Sequence, residues 1–475
     1  MELAMNEKRR IMGEHLTPVE IFEEYIFPNI KDILYEYIWV DLFAGQGNLI
    51  LPILEHLPKD ERIDFFSKHI YLFDVQESLV KKSICKAVEY GIPREIAEKN
   101  IRVQDTLLDY PRFLLDLDYP IYHITNPPYL YIGYIVKNAK HYLRYFTGKN
   151  AGYQDLYQIA MSNDMNHGIE KLIYIVPSNF LFAASGANKI RYDILQKYLI
   201  KKAVIFEKKV FEHTGTNVVI LFLERKKVPR HEEISFMGVK VKKDGILERK
   251  YILIPENKYR AGGDFDLFVD RYRVSFPLKV KYYLDVKEVE SNPGDYEVRV
   301  ICANNIVNGK YKKKTIKVSE SLAKRIRGNV LFVRTIDTGS EDGKVGLYLI
   351  HEVFGVDGIL VRNRYRTHPI QIFFTPDISV DDQILLKEYV NLMLEYFRNL
   401  TDSEFLTTYK HSNSKYIRKY LGLSQIKKLI QTFPILYMTE EEKLQMKKWI
   451  SQQQVDRILL FLDNKKRQRG FLFND

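Results

Sequence analysis

Two short motifs carry the side chains best suited to chemistry, and the first is Asn126-Pro127-Pro128-Tyr129, which follows the apolar segment 120–125. Its prolines fix the backbone and lack N–H donors, so main-chain carbonyls stay available as acceptors. The Asn126 amide oxygen and the Pro127 carbonyl can hold both N–H groups of an exocyclic amine and keep its lone pair out of conjugation. Tyr129 offers an aromatic face to a planar base, and such stacking contributes about 1–3 kcal/mol.

The second motif is a glycine-rich turn, Asp41-Leu42-Phe43-Ala44-Gly45-Gln46-Gly47-Asn48, at the end of an apolar segment. Glycines at such a turn let a ligand approach the backbone closely. Asp74 ends the next apolar segment, where an acid can accept hydrogen bonds from ribose hydroxyls. The third glycine of the dinucleotide fingerprint is replaced by Ile50. The pattern therefore favours a cofactor with one nucleoside over a dinucleotide.

The elements that must position these motifs alternate between short apolar segments and longer amphipathic ones. This alternation predicts an α/β fold with a doubly wound, mostly parallel, seven-stranded Rossmann-like sheet. The predicted strands cover 37–43, 69–74, 101–104, 120–125, 171–176, 203–206 and 217–224, and the predicted helices cover about 48–57, 77–90, 153–167 and 188–198. The last two strands should form an antiparallel pair at one edge of the sheet.

Length and charge divide the chain into two predicted domains. A chain of 475 residues exceeds one ordinary core, and the charged segment 225–233 marks the boundary. We therefore predict a catalytic domain over 1–228 and a basic, mixed α+β domain over 229–475 with C-terminal helices near 380–398 and 440–461. Residues 241–475 hold 41 Lys and Arg against 30 Asp and Glu, whereas the preceding residues hold 31 of each. This asymmetry indicates a polyanion-binding module beside a neutral catalytic one.

Several other classes of protein do not fit the composition. The first ten residues contain no apolar core of a signal peptide, and no apolar run is long enough to span a bilayer. Cys85 and Cys302 lie far apart and match no metal spacing, which favours reduced thiols in the cytoplasm. We expect no metal in the site.

Taken in chain order, the motifs resemble those of the gamma class of DNA adenine-N6 methyltransferases, and the resemblance covers about the first half of the chain. In that class the cofactor half precedes the catalytic half, and the DNA-recognition domain comes last. The resemblance implies S-adenosyl-L-methionine as the methyl donor. It assigns cofactor contacts to Thr17, Asp41, Phe43, Ala44, Gly45, Gly47, Asp74, Asp105, Thr106 and Asn126.

Individual segments carry the finer assignments. His15-Leu16-Thr17-Pro18 resembles the N-terminal cofactor motif of that class, with Thr17 at the methionine carboxylate, and Gln104–Leu108 resembles the motif whose acid, here Asp105, binds the adenine amine.

Val210-Phe211-Glu212 resembles the motif that supplies a second aromatic contact to the flipped base, so Phe211 joins Asn126, Pro127, Pro128 and Tyr129 as a catalytic candidate. Asp155–Tyr157 and Ile175–Phe180 resemble later structural motifs. The glycine motif departs from the commoner Asp-Pro-Ala-Cys-Gly-Ser-Gly.

The second half resembles the family only loosely, at His411–Ile417 and Leu423–Leu429. Three basic clusters are candidates for phosphate contacts, which position a protein on nucleic acid without reading bases: Lys312–Lys314, Lys324–Arg327 and Arg362–Arg366. Sequence alone does not separate such contacts from an ordinary solvated face.

Together these features predict a monomeric enzyme that methylates N6 of a flipped-out adenine in double-stranded DNA, without a covalent enzyme intermediate. It would be the modification component of a restriction–modification system whose endonuclease acts separately. Three alternatives remain open: an enzyme that methylates protein glutamine, RNA or cytosine N4; a fusion with a nuclease, for which Glu248-Arg249-Lys250 fits part of a motif but has no Pro-Asp partner; and a DNA-binding protein without catalysis.

Overall fold

The computed structural model describes residues 17–183, 185–208, 210–211, 217–242, 245–334, 336–338, 344–363, 368–401 and 418–470. The described residues fall into two compact units, which divide between Ala261 and Gly262. None of the helices within these ranges is long and apolar enough to cross a membrane.

The first unit is built on one mixed, mostly parallel sheet of nine strands. They are β1 (Ile38–Asp41), β2 (Ile70–Asp74), β3 (Ile101–Val103), β4 (Ile121–Thr125), β5 (Lys171–Pro177), β6 (Tyr198–Phe206), β7 (Val218–Arg225), β8 (Ile234–Val241) and β9 (Ile246–Leu253). Their order is β3-β2-β1-β4-β5-β7-β6-β8-β9. The strands from β3 to β5 are parallel, β7 is antiparallel to both of its neighbours, and β9 is antiparallel to β8.

Helices connect and cover these strands. The α-helices are α1 (Val19–Ile21), α2 (Arg62–His69), α3 (Glu77–Glu89), α4 (Arg94–Asn100), α5 (Ile132–Asn138), α6 (Leu156–His167), α7 (Asn179–Phe182) and α8 (Asn188–Lys197). A π-helix covers Phe22–Ile26, and 3-10 helices cover Phe27–Asn29, Lys31–Glu36, Leu51–His56, Arg112–Asp116, Lys140–Phe146, Gly148–Asn150 and Pro255–Asn257. Every residue of β1, β2 and β4 is buried, as expected for parallel strands covered on both faces.

The prediction of an α-helix over 48–57 is wrong. Gly47 adopts a positive φ of 75°, and the chain reaches only a 3-10 helix over Leu51–His56. Pro52 lies in the first turn of that segment and has no N–H to donate. The other helices and strands predicted for this unit are present with shifted ends, the largest shift being that β6 begins at Tyr198 instead of residue 203.

The prediction of seven strands and a boundary at residue 228 needs correction, because β8 and β9 belong to the first unit. β8 pairs with β6 in parallel and β9 pairs with β8. The antiparallel pair β6–β7 is confirmed, but it lies inside the sheet and not at its edge. β9 carries three consecutive charged residues, Glu248, Arg249 and Lys250, and most of its side chains are exposed, so its composition resembled the start of a separate basic domain.

The second unit has two four-stranded sheets and a two-stranded one. The strands are β10 (Lys279–Tyr282), β11 (Leu284–Asp285), β12 (Tyr296–Val307), β13 (Lys310–Val318), β14 (Leu331–Arg334), β15 (Ile336–Thr338), β16 (Gly346–Leu349), β17 (Gly358–Val361), β18 (Ile370–Thr375) and β19 (Arg418–Gly422). Their orders are β10-β18-β14-β16, β11-β17-β12-β13 and β15-β19.

The helices of the second unit are α9 (Asp264–Tyr272), α10 (Val286–Glu290), α11 (Glu320–Gly328), α12 (Ile350–Phe354), α13 (Val380–Thr401), α14 (Leu423–Ile430), α15 (Glu440–Ser451) and α16 (Val455–Gly470). A further 3-10 helix covers Ile435–Tyr437. The predicted helix near 380–398 is present as α13, whereas the one over 440–461 is two helices. They are separated at Gln453, whose φ of 54° no helix accommodates.

The packing of β8 against β9 gives a test of the corrected boundary. A Cβ added to Gly238 would lie 2.5 Å from the ring of Tyr251, which is itself buried and stacked on Phe236. We expect Gly238→Val to lower the free energy of unfolding by about 1–3 kcal/mol, because the ring has nowhere to move. The control is Met237→Val on the exposed face of the same strand. Equal stabilities in urea denaturation would contradict the placement of this hairpin.

Candidate active site

One pocket lies at the carboxyl ends of β1 to β4 in the first unit. It is partly open to solvent and lies where the strand order reverses between β1 and β4. Open α/β sheets bind ligands at this point. Ten of the residues predicted from sequence line it: Thr17, Asp41, Phe43, Ala44, Gly45, Asp74, Asp105, Thr106, Asn126 and Pro128.

The glycine turn forms one wall, and hydrogen bonds from β2 hold its shape. The Ala44 N–H donates to Phe73 O at 2.8 Å, and the Gly45 N–H donates to the Asp74 carboxylate at 2.9 Å. Gly47 has a φ of 75°, and a Cβ there would lie 2.5 Å from the Leu51 side chain. Gly47 is not a pocket-lining residue, so the structure shows it as a requirement of the turn.

Both oxygens of Asp74 accept backbone hydrogen bonds, one from the glycine turn and one from its own loop. Besides the bond from Gly45, its other oxygen accepts from the Gln76 N–H at 2.8 Å. The Gly45 carbonyl in turn accepts from the Ser83 hydroxyl on α3 at 3.0 Å. The acid at the end of β2 is therefore held firmly at the pocket wall.

Asp41 is a buried carboxylate that links β1 to β4. Its Oδ1 accepts from the Phe43 N–H at 3.0 Å and from the Thr125 hydroxyl at 2.6 Å. Burial raises the pKa of Asp41 from 3.8 to about 6, although the hydrogen bond from Thr125 opposes the shift. Thr125 immediately precedes Asn126, so this contact sets the distance between the glycine turn and the Asn-Pro-Pro-Tyr motif.

The Asn126 amide is held on both sides. Its Nδ2 donates to the Thr17 hydroxyl at 3.0 Å, and its Oδ1 accepts from the Tyr129 hydroxyl, which also contacts Ile175 O at 2.8 Å. The Thr17 carbonyl accepts from Asn48 Nδ2 at 2.8 Å. The N-terminal motif, the glycine turn and the Asn-Pro-Pro-Tyr motif are thus joined at one edge of the pocket.

The predicted aromatic contacts are not pocket-lining residues. Tyr129 is 7% exposed and Phe211 is 3% exposed. Pro127 is buried too, and it does not line the pocket either. In this conformation Tyr129 contacts the site through its hydroxyl, and its ring is covered. Leu130, the next residue, donates its N–H to Asp155 at 2.8 Å, so the motif at 155–157 supports the loop.

A buried polar network behind the turn was missed by the sequence reasoning. The Leu42 N–H donates to His123 Nε2 at 3.2 Å, so Nδ1 carries the proton and donates to Asp164 at 2.6 Å. The hydroxyls of Tyr110 and Tyr174 also donate to Asp164. A histidine within an apolar strand and an acid within an apolar helix were the available signals, because buried polar groups need partners.

Thr106 belongs to the same support. Its buried hydroxyl donates to Leu42 O at 2.8 Å, so the main chain around Leu42 is held from both β4 and the segment after β3. The structure therefore shows Thr106 as a residue that positions the turn, in addition to lining the pocket.

Two further aromatic residues, Tyr142 and Tyr145, line the pocket near Asp105. The Asp105 carboxylate accepts from the Tyr145 hydroxyl at 2.7 Å and from Arg144 at 3.2 Å. Burial contributes most to raising the pKa of Tyr145 to about 12, so its hydroxyl remains a donor at neutral pH. The cluster of aromatics at 142–146 was visible in the sequence but had no assigned role.

Some predicted segments lie outside the described residues, namely His15, Leu16, Glu212, residues 364–366 of the third basic cluster and His411–Ile417. Among the residues that the structure does describe, no group of three or more His, Cys, Asp or Glu side chains is placed to hold a metal ion.

Comparison with known proteins gives one family match. The model described as N-6 DNA Methylase matches residues 1–270. The methylase subunit of the type I restriction enzyme MjaVII from Methanocaldococcus jannaschii is 24% identical over 236 residues, which are 48% of this chain and 39% of that protein. This chain therefore covers well under two thirds of that relative.

Solved structures share a more distant likeness. A modification subunit of a putative type I restriction enzyme from Vibrio vulnificus aligns with a TM-score of 0.37 and 16% identity, over 72% of this chain and 61% of that one. The type IIL restriction-modification enzyme MmeI in complex with DNA aligns with a TM-score of 0.46 and 11% identity, over 81% and 66%.

The raised pKa of Asp41 predicts a pH-dependent stability of the first unit. Between about pH 4 and pH 6 the folded protein keeps a proton that the unfolded chain has lost, so the free energy of unfolding falls as pH rises, by up to about 3 kcal/mol. Asp41→Asn retains an acceptor for Phe43 and Thr125 but cannot ionise. The variant should therefore gain stability relative to the wild type across this window and keep the gain above pH 6.

The measurement is urea unfolding followed by tryptophan fluorescence from pH 4 to pH 8. The chain has two tryptophans, and a Trp449→Phe background leaves only the buried Trp39 of the first unit as reporter. Asp118→Asn at an exposed carboxylate is the control. A difference between Asp41→Asn and the wild type that does not vary with pH would show that this carboxylate is ionised at the ordinary pH.

Proposed function

The chain belongs to the N-6 DNA Methylase family, and we propose that it transfers a methyl group from S-adenosyl-L-methionine to N6 of an adenine in double-stranded DNA. One observation carries the proposal: Asn126 donates to the Thr17 hydroxyl at 3.0 Å, and both residues line the pocket at the carboxyl ends of β1 to β4. A methyl donor in this pocket and an amine at Asn126 would therefore be neighbours, which is the proximity that direct transfer requires.

The pocket residues suit S-adenosyl-L-methionine, which when bound supplies an electrophilic methyl group on a sulfonium. A carboxylate has about four lone-pair sites, so Asp74 can orient two backbone N–H groups and still accept from ribose hydroxyls. Asp105, between Tyr145 and Arg144, is the acceptor for an adenine amine. Asp41, in the glycine turn, and Thr17, in the N-terminal motif, are assigned to the methionine part of the cofactor. The cost of ionising the buried Asp41 falls when a cation binds beside it.

Asn126 and Pro127 would hold the target amine. Their oxygens accept the two N6–H bonds and favour a geometry in which the nitrogen lone pair faces the pocket. The methylated amine loses its proton after transfer, so the site needs no general base before attack. Tyr129 acts on this arrangement through its hydroxyl, which orients Oδ1 of Asn126. For Tyr129 and Phe211 to stack on the flipped base, binding of the base must first expose their rings, which are covered in this conformation.

The biological setting follows from the same family. We assign the protein to the gamma arrangement and to the modification function of a restriction–modification system, with any endonuclease acting separately and the methyltransferase acting as a cytoplasmic monomer. The basic second unit is the DNA-recognition domain of this proposal. Residues 262–475 hold 35 Lys and Arg against 27 Asp and Glu, and this excess supports the assignment because phosphate binding dominates affinity for DNA.

A labelling experiment tests the reaction. The protein is incubated with mixed genomic DNA and labelled S-adenosyl-L-methionine, and the DNA is digested to nucleosides. We expect label in N6-methyladenosine, and a loss of at least about 100-fold in kcat for Asn126→Ala, because a preorganised acceptor of the reacting amine is removed. Asn166→Ala at an exposed position on α6 is the control.

Each other outcome of the labelling is informative. Label in N4-methylcytosine, RNA or protein would retain the cofactor and overturn the substrate. Absence of label from all of them, with DNA binding retained, would favour a DNA-binding protein without catalysis.

A second variant separates the two roles of Tyr129. Tyr129→Phe keeps the ring and removes the hydroxyl that contacts Asn126 and Ile175. A hydrogen bond contributes about 0.5–1.5 kcal/mol, so we expect kcat to fall about 3- to 10-fold while KM for S-adenosyl-L-methionine stays the same. The matched control is Tyr131→Phe, where the tyrosine is 52% exposed. Unchanged kcat in Tyr129→Phe would assign the residue to stacking alone.

A further inference from the structure

The structure separates the basic clusters of the second unit by what they contact. On α11, Lys324 pairs with Glu320 and Arg325 pairs with Glu288, each at 2.8 Å. These charges are engaged within the unit. The cluster at 312–314 is different and lies on a hairpin of β12 and β13, residues 296–318, which we call the β12–β13 hairpin.

The β12–β13 hairpin carries a strong positive charge. It contains six Lys and Arg against one acid, Glu297, a net charge of +5. Glu297 lies 4.0 Å from Lys317 near the base of the hairpin. Within the described part of the chain, the exposed lysines nearer the tip have no ion pair: Lys310, Lys312, Lys313 and Lys314.

The tip half of the hairpin is a two-stranded ribbon. β12 pairs with β17 only as far as Cys302, and β13 is the edge strand of its sheet. Beyond Cys302 the register shifts, and the two strands pair only with each other among the described strands, at Ile306 opposite Tyr311 and Val307 opposite Lys310. Asn308 and Gly309 connect them with φ of 49° and 76°, the signs that a two-residue type I′ turn requires. Ile306 and Val307 are both more than half exposed.

Lysines follow β13 at regular spacing from the ribbon into the four-stranded part of the sheet, where Lys312 lies opposite Cys302 and Lys314 opposite Val300. Lys310, Lys312 and Lys314 occupy alternate positions of β13 and therefore lie on one face, about 7 Å apart. On the opposite face the ring of Tyr311 packs against Phe354 at 5.7 Å and anchors the ribbon to its unit. A row of evenly spaced, unneutralised ammonium groups on an anchored ribbon suits a regular array of phosphates.

We propose that the β12–β13 hairpin is a double-stranded DNA contact of the second unit, with the row Lys310, Lys312 and Lys314 on the phosphate backbone. The inference rests on the proposed function, which supplies duplex DNA as the partner. The major groove of B-DNA admits a two-stranded β-ribbon, so the width of the element matches the groove that its lysines would border.

Lysines on an edge strand have a second established use, since they discourage pairing with the edge of another molecule. That role alone predicts that replacing them promotes self-association and leaves DNA binding unchanged. Binding experiments on the full chain therefore distinguish the two.

The test compares two double variants of the full-length protein. Lys312→Ala/Lys314→Ala removes two charges from the row, and Lys447→Ala/Lys448→Ala removes two exposed charges from α15. Binding to a fluorescein-labelled duplex of random sequence is followed by anisotropy over a range of KCl concentrations. For the ribbon variant we expect the slope of log K against log salt to become less negative by about 2, because each phosphate contact contributes about 0.9.

The ribbon variant should also bind the duplex at least tenfold more weakly at low salt, while Lys312→Arg/Lys314→Arg binds as the wild type does. Binding of S-adenosyl-L-methionine, measured by calorimetry, should be the same in all variants. If the wild type methylates DNA and the ribbon variant keeps the slope of the α15 control, the hairpin assignment is overturned and the function stands. If the wild type binds no duplex, both proposals fail.

Discussion

The carboxylate of Asp41 is the group on which the arrangement of the active site depends. It is almost completely buried, and one oxygen accepts from both the glycine turn after β1 and Thr125 at the end of β4. Burial opposes ionisation and raises the pKa to about 6, so the protein holds this charge at a cost in stability. In the proposed function a cationic cofactor offsets that cost. The carboxylate of Asp41 would then both lower the stability of the free protein and recognise the ligand.

The rest of the first unit keeps this turn in place. The main chain at Leu42 is held by His123 on one side and by Thr106 on the other, and Asp164 fixes the tautomer of the histidine. Each polar atom of this network has a partner in a region closed to water, so a displaced turn would leave several buried groups unsatisfied. Asn126 is held by Thr17 and Tyr129 in the same manner. The site is thus preorganised by hydrogen bonds between segments distant in the chain.

The second unit contributes charge of a different kind. Most of the ion pairs among its described residues have at least one exposed side chain, and exposed pairs add little stability. Four lysines of the β12–β13 hairpin, Lys310 and Lys312–Lys314, lack even these partners among the described residues, and their mutual repulsion disfavours the free protein slightly. A partner that carries regular negative charge relieves that repulsion. Positive potential of this kind also speeds association with a polyanion, so the hairpin would act on the rate of binding as well as on affinity.

The sequence by itself determined the strand–helix alternation of the first unit, the two motifs and the identity of ten pocket-lining residues, because parallel strands bring their carboxyl ends together wherever they lie in the chain. Only the tertiary structure decided that β8 and β9 extend the sheet, because half-buried strands with charged outer faces look alike in any domain. It alone paired His123 with Asp164 across 41 positions and covered the ring of Tyr129. It alone also separated the engaged cations of α11 from those of the β12–β13 hairpin. Sequence reports local periodicity, whereas burial and pairing depend on partners that folding brings from elsewhere.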